Sequence, residues 1–89
     1  MSQEKDYSSL HKLYGNVARA YLKNKKVYRY HLKKISDMDD RQVIQVCHFW
    51  YEENALVEDY RAFEALYFQQ HREEYLTVFP INRKDDRNE

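Results

Sequence analysis

The sequence predicts an all-α fold: a small bundle of three helices, or of four if the first breaks near Asn24. Three observations carry this. Apolar residues recur at helical spacing over three stretches of the chain. One Gly and one Pro in 89 residues leave too little turn-forming material for a sandwich or barrel. The single Cys excludes an internal disulfide framework and a Cys-rich zinc site, so helix packing must supply the stability. A chain this short folds as one domain with a thin margin, which makes self-association an expectation from the outset.

The elements follow in order. Leu10, Leu13, Tyr14, Val17, Tyr21, Tyr28, His31, Leu32 and Ile35 share one stripe at roughly 100° per residue. The stripe keeps its phase across the polar Lys23–Lys26 run, which predicts a first helix near 6–34. Tyr28, Tyr30 and Leu32 also alternate with Arg29, His31 and Lys33 as a strand would, but no partner strand is visible, so helix is preferred. Ser36-Asp37-Met38-Asp39-Asp40 supplies a capping side chain followed by acids where a helix dipole favours them. A second helix is therefore placed near 38–52, with Val43, Val46, Cys47 and Trp50 facing inward and Ile44 and Tyr51 on the flank. Glu52-Glu53-Asn54 interrupts it. Leu56, Tyr60, Phe63, Leu66 and Tyr67 then form a stripe too far displaced to continue the same straight helix, so a turn near Asn54 and a third helix near 55–77 are expected. Pro80 closes that helix, since the residue before a proline disfavours helical geometry. Residues 1–79 are read as a single helical domain and 80–89 as a polar mobile tail.

A continuous first helix would span about 42 Å, longer than a globule of about 31 Å. Either it breaks near Asn24, or a second subunit covers the overhang, with Tyr28, Leu32 and Ile35 as the dimer contacts. A homodimer is the expectation.

Charge is segregated along the chain. Residues 1–36 hold nine Lys and Arg against two acids, whereas residues 37–79 hold three Arg against ten acids, so a net charge of zero conceals opposed balances of +7 and −7. The candidate binding residues are the basic set Arg19, Lys23, Lys26, Arg29, Lys33 and Lys34, with Tyr30 among them. Such a face can track phosphates while tyrosine rings stack on bases. It can equally pair with the acidic half, in the same chain or across a dimer. Nine tyrosines favour recognition of a protein surface over a lipid one, because Tyr supplies contact area at low entropic cost.

Enzyme signals are sparse. Arg41 and His48, with six residues between them, resemble the Arg-x(4–6)-His motif of HEPN-type ribonucleases, helical proteins in which such a pair acts on RNA phosphates at a dimer interface. The resemblance covers two residues of one helix, and Gln42 stands where that family usually has Asn, Asp or His. His11, His31, His48 and His71 are scattered, no Glu-x-x-His pattern occurs, and Gly15 alone cannot build a phosphate loop, so no metal and no cofactor are expected. Cys47, between Val46 and Trp50, reads as a buried, inert thiol. No apolar run reaches the ~18 residues of a membrane span and no signal segment is read near Met1, so a cytoplasmic location is expected. The first functional reading is a non-catalytic interaction or regulatory protein that recognises another macromolecule. The second is a nucleic-acid-binding protein using the Arg19–Lys34 face. The third is a ribonuclease using Arg41 and His48.

Overall fold

In the computed structural model, which describes residues 8–79, the first helix is shorter than its apolar stripe suggests. α1 runs Ser8–Asn24 and stops, so the expected helix to residue 34 is corrected. The stop is a local closure. Val27 N–H donates to the Leu22 carbonyl (2.8 Å) and Lys26 N–H to the Lys23 carbonyl (2.9 Å), the paired bonds of a Schellman motif. Lys26 takes the left-handed conformation this needs (φ 63°), and Val27 packs on the core cluster that includes Leu22. The starting residues 6–7 of the expected helix and the 80–89 tail lie outside the described residues.

The strand-like alternation over 28–33 is realised, because the chain supplies its own partner. β1 (Arg29–Tyr30) pairs antiparallel with β2 (Lys33–Lys34), opposing Arg29 to Lys34 and Tyr30 to Lys33. The two-residue turn His31-Leu32 has positive φ at its first position only, the sign pattern of a type II′ hairpin turn. Leu32 stands at the tip, 96% exposed. A short 3-10 turn (Ile35–Asp37) then leads inward, and Ile35 is 7% exposed within the core. Ile35 is thus a core residue of the single chain and is withdrawn from the dimer contacts, since the overhang that would have exposed it does not form.

α2 spans Asp40–Glu53 and is capped by Asp39, whose carboxylate accepts from Gln42 N–H at 2.8 Å. It ends in a second Schellman closure at Asn54, with Leu56 N–H on the Tyr51 carbonyl (2.7 Å) and Ala55 left-handed (φ 57°). The expected turn near Asn54 is therefore in place. The expected third helix is two: α3 (Val57–Gln70) and α4 (Arg72–Val78), separated at His71. There both the backbone N–H and ring Nδ1 of His71 reach the Tyr67 carbonyl, while the imidazole stacks on the Tyr67 ring. The bend lets α4 lie along α1, where Asn16 Nδ2 donates to Glu74 Oε2 (2.8 Å) and the rings of Tyr14 and Phe79 meet edge to face.

The result is an all-α bundle carrying a small hairpin. α1 and α2 make its core: Ala18, Tyr21 and Leu22 pack with Val43, Val46 and Cys47, closed by Ile35 and Met38, and Leu13 and Val17 of α1 are buried as well. Gly15 permits their approach, for a Cβ there would lie 2.6 Å from Asp40 Oδ1 and 3.0 Å from Asp40 Cβ. Tyr21 is fully buried, with Trp50, Tyr51, Tyr60 and Phe63 around its ring, and its hydroxyl donates to Asp59 at 2.8 Å. α3 and α4 contribute no fully buried residue. Among the described residues no helix is long and apolar enough to cross a membrane.

Candidate functional site

The hairpin alternates faces, as any strand does, and so sorts the basic residues. On one face Tyr30 OH donates to Glu53 (3.1 Å) and Lys33 Nζ to Gln42 (3.0 Å), which ties the hairpin to α2. On the other, Arg29 and Lys34 look across a groove of about 500 Å³ toward Arg19 and Lys23 on α1. Val27, Tyr28 and Ile35 supply its apolar surface, and among the described residues no acidic side chain lines it. Of the sequence-derived set, the structure brings Arg19, Lys23, Arg29 and Lys34 to one groove. Lys33 and Tyr30 are drawn to α2, and Lys26, in the turn that ends α1, does not line the groove.

The four groove cations are not equivalent. Arg19 is ion-paired to Asp40 at 2.8 Å and reaches the Met38 carbonyl at 3.4 Å, so it is part of the α1–α2 joint. Lys23, Arg29 and Lys34 make no ion pair or side-chain hydrogen bond among the described residues. Arg29 and Lys34 are moreover directly opposite on adjacent strands. Like charges so placed work against the hairpin by roughly 0.2–1 kcal/mol. The acidic half does offset part of the basic half, through Arg19–Asp40 and through Lys25–Asp59 (2.9 Å), but not these three. Asp59 is held below the usual carboxylate range by the Lys25 ammonium and the Tyr21 hydroxyl.

A second cavity, about 420 Å³, opens between α1, α2 and α3 and is walled by Tyr14, Phe49, Tyr51 and Tyr60. Glu64 also lines it, half-buried, accepting from Tyr60 OH at 3.3 Å. Desolvation raises its pKa above the ordinary carboxylate value. Sequence reasoning missed this site, although Glu64 lies one turn beyond Tyr60 on the inward stripe, a position where a solvated acid is not expected.

His48 borders the same cavity, with Nδ1 3.1 Å from Tyr51 OH and Nε2 3.4 Å from Glu52. Arg41 lies two helical turns earlier on α2, exposed, and its guanidinium makes no ion pair or hydrogen bond among the described residues. Cys47 is 1% exposed and burial pushes its thiol up to about 12, so it presents no nucleophile. Among the described residues no three His, Cys, Asp or Glu side chains group closely enough to hold a metal ion. No protein-family model, curated protein or solved structure matches the chain.

Proposed function

We propose that the protein is a non-catalytic interaction module, of regulatory type, whose basic groove docks an acidic segment of a partner protein. The observation that carries this reading is the Arg29–Lys34 pair, two opposed cations with no ion-pair partner among the described residues, facing Lys23 across an apolar floor. An anionic partner relieves the repulsion built into the hairpin, and Val27, Tyr28 and Ile35 give an apolar side chain of that partner a seat. A long phosphodiester is served less well. Arg19 and Lys33 are already engaged with α2, and the acid-rich half of the chain adjoins the groove.

Selection from a random peptide display library tests this. The expected winners carry Asp or Glu around one apolar residue, and they lose binding when Lys23, Arg29 and Lys34 are changed together to Gln. Tighter, steeply salt-dependent binding of an oligothymidylate through the same three residues would replace the reading with the nucleic-acid one.

A second copy of this chain is one acidic surface of the required kind, and a homodimer is the second reading. Its original basis, an overhanging helix, is gone. It is favoured instead by α3, which buries no residue fully, bears Glu58 and Asp59 in its first turn and leaves Leu66 51% exposed. The hairpin offers the complementary surface in Tyr28 and Leu32, 61% and 96% exposed beside Arg29, Lys33 and Lys34. Ion pairs across such an interface would orient the subunits more than hold them.

A further inference from the structure

We propose that the cavity between α1, α2 and α3 is a binding site for an alkylated ammonium group, held by the Glu64 carboxylate within an aromatic wall. Among the described residues Glu64 is the only acid lining the cavity, and no Lys, Arg or His lies within ion-pair distance of it. Its hydrogen-bond partner is a neutral phenol, Tyr60 OH, and Arg61 favours the carboxylate only from beyond ion-pair distance, so the half-buried anion has no direct counter-ion among the described residues. Tyr14, Phe49, Tyr51 and Tyr60 surround that charge with ring surface. Tyr51 and Tyr60 are stacked at 4.4 Å and Tyr21 packs edge-on against both, which fixes this side of the wall.

The donor set selects the ligand class. A divalent cation needs several oxygen ligands and finds one carboxylate. A bare ammonium is strongly hydrated and would forfeit its water for a single anionic acceptor. A methylated ammonium loses less hydration on entering, presents its methyl groups to aromatic rings, and keeps a positive charge to set against the Glu64 carboxylate. Burial already penalises the Glu64 anion, and a bound cation removes that penalty. The site is independent of the basic groove.

Tetramethylammonium and choline, titrated into the labelled protein at constant ionic strength and followed by amide and ring NMR shifts, test the assignment. The expected result is saturable shifts at Tyr14, Tyr51, Tyr60 and Glu64. The neutral carbon analogue of choline, 3,3-dimethylbutan-1-ol, should bind at least about tenfold more weakly. Glu64→Gln, which retains an acceptor for Tyr60, and Tyr14→Leu, which keeps an apolar wall, should each weaken choline binding by about tenfold with the helical CD spectrum unchanged. A trimethyl-lysine peptide run beside choline tells a modified protein from a small metabolite or lipid headgroup, and tighter binding of either supports the site. Equal binding of the neutral analogue, unchanged affinity in Glu64→Gln, or no saturable shift overturns it.

Discussion

Glu64 shows how a single residue can work against the fold that contains it. Burial raises its pKa, so the folded state binds its proton more tightly than the unfolded chain does and the ionised form is destabilising. That penalty is complete above the folded pKa and absent below the unfolded one. Glu64→Gln should therefore raise the thermal midpoint at pH 7, with the gain closing below about pH 4, the ordinary Glu range. Asp59 has the opposite sign: its pKa is depressed, so it stabilises above its ordinary value and the effect is lost as pH falls through the folded one. Being common to both proteins, it cancels from the comparison. A constant difference in midpoint from pH 4 to pH 7 would show that Glu64 is solvated. At this scale Cys47 was legible, because its stripe neighbours Val46 and Trp50 fix which way it faces. Glu64 was not, because an acid on an apolar stripe looks the same whether it snorkels outward or lines a cavity.

Helix ends are where local chemistry either did or did not reveal the elements. Asp39 and Asn54 mark the limits of α2 with side chains suited to caps, and the sequence places both boundaries close to their observed positions. The end of α1 is legible only as the alternative break near Asn24, because Lys26 occupies the left-handed position where Gly is usual. The hairpin is hidden because its alternation over 28–33 reads as one strand without a partner, and His31-Leu32 is not a typical turn pair. The same oddities are testable. Lys26→Gly and Ala55→Gly should each stabilise the protein by about 1 kcal/mol in urea unfolding, since each removes the strain of a side chain at positive φ. Destabilisation by either would mean that the closure is not left-handed in solution. Gly15→Ala should do the reverse. Its helix-propensity gain of about 1 kcal/mol is outweighed by overpacking against Asp40, which costs about 1–3 kcal/mol and displaces the Arg19–Asp40 pair. A more stable Gly15→Ala protein would place α2 further from α1 than described.

At the scale of the whole molecule the core is built on α1 and α2, with α3 and α4 laid along them as a partly buried layer. The bundle class was legible from periodicity alone. The groove was not, because it exists only once α1 has ended and the hairpin has turned Arg29 and Lys34 back toward Lys23. If the second reading holds, sedimentation equilibrium at micromolar concentration should give twice the 11.0 kDa chain mass, and Leu32→Asp should return it to one chain. A species of 11.0 kDa throughout would leave the groove to a different protein partner.

That groove is the centre of the account, and amide NMR of the labelled protein addresses it most directly. An acidic peptide with one central Leu and a single-stranded oligothymidylate would be titrated separately at about 50 mM salt, where phosphate contacts are strongest. The account predicts that the peptide shifts Lys23, the Val27–Arg29 segment and the Lys34–Ser36 segment together, and that the oligonucleotide shifts them more weakly at equal concentration. A peptide that leaves those residues unmoved, or an oligonucleotide that moves them more strongly, would contradict it.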